Sequence, residues 1–359
     1  MKIYIASLKF SPGHFSHVIA YSKLFSELGF ETNLLISKDY SKMIENSDVP
    51  VSFFEDKIPE FNADIILFAN PSTINHKLAK LYKKNGTKIL YLYHEPFDSI
   101  PEYLKEGLKQ TIKAIGAHYF SVKLLKLSDL VIVPSNFALN LYKKSDMKYC
   151  RNVSVIPLLF DDEHGNNIDI NDKEYFSYIG HAVIGHAFDI YLDFIKYAYK
   201  KEYKMKFMIA TKTDLSDILS KDKIIQEMVS KNVLKITHGR PLKNSEINEA
   251  YKKSFCVWNL YRRSTQSGVL PKAFMFGTPV LASNIGSFPE YVKNGKNGYI
   301  VETSDLKKYE KLIQSIQNIQ NKLDFMSLEA RKTFENTFYY MSQIKNTKNI
   351  LSSFFQNKF

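Results

Sequence analysis

Three short stretches combine reactive side chains with a backbone that can come close to a ligand. Ser11-Pro12-Gly13-His14 follows the apolar run Lys2–Leu8, and His94-Glu95-Pro96 follows the apolar run Ile89–Tyr93. Gln266-Ser267-Gly268 opens the apolar run Val269–Phe276, which carries Lys272 about one turn in. Gly13 permits close backbone approach, and an imidazole can hold or release a proton near neutral pH. A loop entering a helix offers unpaired N–H groups at the positive end of the helix dipole, which suits phosphate. A cation at Lys272 is unfavourable against that dipole, and an anionic ligand beside it would offset the cost. Blander readings fit the same residues: a plain strand-to-helix turn at 11–14, a structural imidazole at His94, and a lysine stem lying on the core at Lys272. Glu95 is placed to orient His94 or to act as a base. His17 and His118 fall inside helices and read as structural.

The elements that must position these residues alternate along the chain. Lys2–Leu8 reads as a strand and Phe15–Leu28 as a helix closed by Gly29, with Thr32–Ser37 as the next strand. Ile65–Ala69, Ile89–Tyr93, Leu130–Pro134 and Val153–Ile156 are further buried strands. Leu159–Glu174 is acidic, rich in Asn and without apolar periodicity, and reads as a linker. The alternation then restarts: strand Tyr175–Ile179, helix Phe188–Tyr199, strands Met205–Thr211 and Val233–Thr237, helix Ser245–Ser254, strand Phe255–Leu260, helix Val269–Phe276 and strand Val280–Ser283. Residues from Leu306 onward read as helical. Strands alternating with helices imply β-α-β units and mostly parallel sheets. The expected division is 1–160, 175–339, and a helix at 340–359 long enough to cross back to the first domain. Ligands of such sheets bind outside the carboxyl ends of the strands, so the cleft between the halves is the expected site.

Composition narrows the classes. The chain has 359 residues, 45% hydrophobic and 24% charged, which excludes a disordered chain or a collagen-like fibre. Its 2 cysteines, Cys150 and Cys256, lie far apart, against a disulfide framework and for a reducing compartment. No apolar run reaches the roughly 18 residues of a membrane span, and the N-terminus turns polar too early for a signal peptide. There is no GxGxxG after a strand, no P-loop, no HExxH and no GxSxG. No Asp-x-Asp pair ends a strand to hold a metal, and the acids Asp161-Asp162-Glu163 lie in the linker. The formal charge is +12, which suggests a polyanionic partner or simply a lysine-rich solvated surface. Ile100–Leu127 is amphipathic and carries Lys105, Lys109, Lys113, Lys123 and Lys126. It reads either as a helix packed on the sheet or as one lying on an anionic bilayer.

Gly277-Thr-Pro-Val-Leu-Ala-Ser283, then Gly286-Ser-Phe-Pro-Glu290, then Asn294-Gly-Lys-Asn-Gly298 resembles the C-terminal signature of GT-B-fold glycosyltransferases, in particular the large retaining family of bacterial polysaccharide and lipid-linked-sugar transferases. Leu127–Phe137 resembles that family's strand ending in Ser before a helix, and Tyr178-Ile-Gly180 the first strand of its second domain. The resemblance implies an α/β fold of two Rossmann-like domains whose parallel sheets face each other across a cleft, the first binding acceptor and the second the donor. The family's paired glutamates fall on Ser264 and Lys272 here, and neither carboxylate is present. Its phosphate-binding Arg falls on His181 and the following Lys on His186. Donor contacts are expected from Gly13, His14, His181, His186, Arg240, Thr265, Gln266, Ser267, Gly268, Val269 and Lys272. His94 is expected at the donor sugar, with Glu95 beside it.

The chemistry implied is transfer of a sugar from a UDP- or GDP-type donor to a glycan or polyprenyl-linked acceptor in bacterial surface polysaccharide synthesis, such as lipopolysaccharide or capsule. It is expected to proceed with retention and without metal or cofactor. The expected place is the cytoplasm, with attachment to the inner face of the cytoplasmic membrane as a possible extension, and no nucleic-acid partner. Two alternatives stay open: a nucleotide-sugar epimerase of the same fold, and a non-catalytic polyanion-binding protein.

Overall fold

Ile65–Phe68 and Leu130–Val133 contain no polar side chain, and all their residues are buried. A strand apolar on both faces belongs in a sheet covered on both sides, the arrangement that parallel strands joined by crossover helices adopt. The computed structural model of the chain describes residues 1–43, 49–55, 62–104, 107–165 and 169–355. Of the segments read above, Lys105, residues 166–168 and residues 356–359 lie outside it.

The described residues fall into two compact units, those of 1–161 with 337–355, and those of 162–336. The first contains seven parallel strands: β1 (Lys2–Ser7), β2 (Glu31–Ser37), β3 (Val51–Phe54), β4 (Ile65–Phe68), β5 (Lys88–Leu92), β6 (Leu130–Val133) and β7 (Val153–Val155), in spatial order β3-β2-β1-β4-β5-β6-β7. The chain runs outward from β1 through β3, returns to β4, and then runs the other way. The topological switch therefore lies between β1 and β4. Side chains alternate between two cores: Ile3 and Ile5 pack on one face, Tyr4 and Ala6 on the other. The helix Ile344–Phe355 joins the first of these through Ile344, Ile350 and Leu351. Its approach is fixed by backbone pairing: Phe160 N donates to Phe338 O at 2.8 Å, and Tyr340 N to Phe160 O at 3.1 Å.

The second unit repeats the plan. Strands β8 (Tyr175–Ile179), β9 (Lys206–Ala210), β10 (Leu234–Thr237), β11 (Ser254–Asn259), β12 (Val280–Ser283) and β13 (Gly298–Val301) take the order β10-β9-β8-β11-β12-β13, with the switch between β8 and β11. Trp258, Phe176 and Phe194 anchor its core.

Two details differ from the sequence reading. The first helix begins at Pro12, not Phe15, because proline suits the first helical position. Gly13 and His14 therefore lie within its first turn and not in a loop before it. The expected linker also carries built contacts. Asp162 accepts a bidentate pair from Arg331, with Nη1 at 2.9 Å. Glu163 is bound by three side chains of the second unit.

Lys173, at the end of that stretch, is buried. Its amine donates to Ser254 O at 3.2 Å, Phe276 O at 3.0 Å and Thr278 Oγ1 at 2.8 Å, tying the start of the second sheet to the turn before β12. Burial pushes this amine down to about 7, whereas in an unfolded chain it titrates near 10.4. The unfolded chain then holds more protons between about pH 7 and 10, so this group makes stability rise with pH across that window. Lys173→Met should flatten the melting temperature against pH over that range. Equal slopes for variant and wild type would contradict the assignment.

Candidate active site

In the first unit, the carboxyl ends of β1, β4 and β5 bring polar groups together at the switch. The phenol of Tyr40 accepts from Ser11 N at 2.8 Å and from Ser7 Oγ at 3.1 Å, pinning the β1-to-helix connection. Asn70, just past β4, donates from Nδ2 to Lys9 O at 2.7 Å. His94, just past β5, is buried and donates from Nε2 to Ala69 O at 2.8 Å. A carbonyl only accepts, so this bond fixes the tautomer and makes Nδ1 an acceptor. The His94 ring lies 4.8 Å from that of His14 and 5.8 Å from that of His17. Burial, followed by the neighbouring His14 and His17, holds His94 well below the usual imidazole range. Burial also lowers His14. His17 is buried and donates from Nδ1 to Leu159 O at 2.8 Å, as a structural histidine would, and its ring stands beside those of His14 and His94. Glu95 is exposed beside this cluster.

In the second unit, two loops meet beyond the β8/β11 switch. Gly180 ends β8 at φ 127°, and a Cβ there would sit 3.5 Å from Val269 Cγ2, so strand end and helix start lie in contact. His181 follows and is exposed; burial of part of its ring still lowers its affinity for a proton. Its carbonyl accepts from Tyr178 Oη at 2.7 Å and pairs with His186 Nδ1 at 3.1 Å. The His186 ring stacks on Tyr261 at 4.2 Å, and Tyr261 Oη meets Ser267 Oγ at 3.3 Å. Arg262 joins the two loops with N to Gly185 O at 2.9 Å and two bonds of 2.6 Å to Asp189.

The 264–268 loop is held from within and from below. Ser264 Oγ donates to Gln266 O at 2.7 Å, Ser267 Oγ accepts from Val269 N at 3.2 Å, and Ser287 N donates to Thr265 O at 3.0 Å. Gly286 makes this possible: at φ 55°, a Cβ would lie 2.1 Å from Ser264 O and 2.8 Å from Thr265 O.

The helix Val269–Met275 spans only seven residues, and Lys272 is buried in it. Its amine is engaged by side chains of the same unit. It donates to Asn244 Oδ1 at 2.8 Å and to Glu163 Oε2 at 3.2 Å. Burial lowers its pKa and Glu163 opposes that shift. Glu163 Oε2 also accepts from Asn244 Nδ2 at 2.6 Å and Asn248 Nδ2 at 2.8 Å. A carboxylate thus stands beside position 272 although the residue there is a lysine. Arg240, expected near the donor, is exposed and engaged by Glu246, with Nη1 to Oε2 at 2.8 Å. That guanidinium holds Glu246 down at about 2.

Two asparagines escaped the sequence reading. Asn259 ends β11 fully buried, with neither amide atom hydrogen-bonded among the described residues. Asn70 beyond β4 is equally buried, and its Oδ1 has no such partner. Each sits on the strand across its own switch point. The available signal was one polar residue closing an apolar run, FCVWN and ILFAN. Among the described residues, no group of three or more His, Cys, Asp or Glu is arranged to hold a metal ion.

Gly286→Ala should displace the 264–267 loop, lowering stability by about 2–3 kcal/mol and abolishing nucleotide binding by calorimetry. Wild-type affinity would show that the loop takes no part. Asn259→Leu removes two unsatisfied buried polar atoms and should stabilise the second unit by about 1–3 kcal/mol while weakening ligand binding. Lower stability on thermal melting would mean that the amide is already satisfied in the folded protein.

With this geometry in hand, comparison with known proteins is informative. The family model described as Glycosyl transferases group 1 matches residues 167–333, the span of the second sheet and its loops. No curated protein sequence matches the chain. Among solved structures, Anabaena Alr3699/HepE in complex with UDP superposes with a TM-score of 0.72 at 14% identity, covering 98% of this chain and 100% of that one. A glycosyltransferase from Rickettsia africae ESF-5 gives 0.72 at 14%, with 99% of each chain covered. The pneumococcal O-GlcNAc transferase GtfA, in complex with UDP and GlcNAc, gives 0.68 at 12%, with 99% of each covered. Residues 167–333 match the glycosyl transferases group 1 family model, and the chain as a whole shares the GT-B fold of these glycosyltransferase structures.

Proposed function

We propose that the protein moves a sugar from a UDP-sugar to a glycan or polyprenyl-linked acceptor in bacterial surface polysaccharide synthesis, with retention of configuration, at the inner face of the cytoplasmic membrane. The observation that carries the reading is the pair of loops at the second switch point, 180–186 and 261–269, inside the segment that matches the family. UDP is favoured as the nucleotide because the Anabaena and pneumococcal structures were obtained with UDP.

The chemistry follows from charge. As the bond between sugar and diphosphate breaks, negative charge grows on the leaving phosphate, and fixed donors aimed at it stabilise the transition state. His181 and the backbone N–H groups of the 266–268 loop are the donors suited to that task. Lys272 and Arg240 already face carboxylates and contribute less than their charges suggest. In the first unit, the neutral His94 offers a hydrogen-bond acceptor to a sugar hydroxyl without adding charge. His14, Asn70 and Glu95 surround it with further polar groups for donor or acceptor.

The test is calorimetry of UDP, GDP, ADP and CMP, with and without EDTA, followed by transfer assays. UDP should bind selectively and EDTA should leave its affinity unchanged. His94→Ala should lower turnover by about 100-fold, in the usual range for loss of a positioned polar group, and leave UDP affinity within about two-fold. Full turnover in that variant, or no preference among nucleotides, would overturn the corresponding part of the proposal.

A further inference from the structure

A helix packed on a sheet normally turns its apolar side chains inward. The helix Leu108–Leu125 turns four outward. Leu108 is 68% exposed, Ile112 63%, Ile115 43% and Tyr119 56%. Their spacing of four, three and four places them in one stripe along the helix. The packed side is supplied by Thr111, Ser121, Leu124 and Leu125. Immediately before it, the short helix Ile100–Leu104 adds Ile100 and Leu104, each about half exposed.

Charge flanks the stripe on one side. Lys109, Lys113 and Lys123 stand next to it, and Lys126 follows the helix. The Lys123 amine lies 4.2 Å from the Tyr119 ring centre and 5.6 Å from that of Phe120, so its stem runs along the aromatic surface. Gly107–Lys126 contains no Asp or Glu. No helix among the described residues is long and apolar enough to cross a membrane.

We propose that this face docks onto an anionic lipid surface, with Leu108, Ile112, Ile115 and Tyr119 sinking into the boundary between headgroups and acyl chains and the lysines meeting lipid phosphates. An amphipathic helix with apolar and lysine-lined sides lies in such an interface, and juxtamembrane lysines add attraction that salt weakens. Charge selects this occupant over a second copy of the chain, which would bring the same lysines against one another with no acid on the helix to pair them. The inference rests on the membrane-face part of the proposed function and uses none of its transfer chemistry.

Vesicle flotation tests it with the full chain. The wild type should bind vesicles of phosphatidylglycerol and phosphatidylcholine, bind pure phosphatidylcholine weakly, and be released by about 0.5 M salt. Ile112→Gln with Ile115→Gln should abolish binding. Lys109→Gln, Lys113→Gln and Lys123→Gln together should weaken it by roughly 100-fold. Lys109, Ile112, Lys113 and Ile115 are exposed and Lys123 is half-buried with its stem on the surface aromatics, so melting temperature and UDP affinity should stay near wild-type values in both variants. Binding of the variants equal to wild type would overturn the proposal. So would a wild type that ignores anionic vesicles, including one whose stripe instead mediates concentration-dependent self-association on gel filtration. Loss of UDP binding with vesicle binding intact would count against the donor assignment alone.

Discussion

Covering both faces of a parallel sheet leaves only the strand ends able to touch a small molecule. Both units accept that constraint, and their polar chemistry gathers where strand order reverses. In the first, β1, β4 and β5 deliver Ser7, Asn70 and His94 to one end of the sheet. In the second, β8 and β11 deliver Gly180 and Asn259. Asn259, with neither amide atom hydrogen-bonded among the described residues, and Asn70, with its Oδ1 unbonded there, are not placed for stability, since an unsatisfied buried polar atom costs free energy. Each marks a position where the fold yields to something other than its own packing.

The short helix Val269–Met275 depends on the same economy of buried polar groups. Three cations lie at or near it: Lys272 within it, and Arg331 and Lys173 at its carboxyl end. Arg331 Nη1 donates to Met275 O at 2.7 Å and Lys173 to Phe276 O at 3.0 Å. Cations at that end satisfy the last carbonyls and favour the dipole. Lys272, midway along the helix, is paired by Glu163. The second unit therefore begins at Asp162, because its first two acids neutralise buried charges far along the chain.

Much of this was legible in the residues. Apolar runs located most strands, and the Gly277–Gly298 signature pointed to the family before any coordinate. Strand β3 was missed because Val51–Phe54 carries no clear apolar alternation and two of its residues are exposed. The stretch read as a linker does hold the boundary between the two units, but composition cannot show that its Glu163 meets Lys272, a residue 109 positions away. Helical spacing alone did not reveal that His94 lies beside His17. The carboxylate partner of Lys272 was hidden for the same reason: Glu163 is distant in sequence.

The division of the first unit into 1–161 and 337–355 bears on how the protein is made. Tyr340 and Leu351 belong to a core whose other buried members, Ile3 to Leu159, are translated long before them. A ribosome must complete the whole second unit before that core can close. The nascent first unit therefore waits with one apolar face uncovered, the state in which folding intermediates are most prone to aggregate. The second unit, an uninterrupted segment, has no such delay and can fold as soon as it emerges.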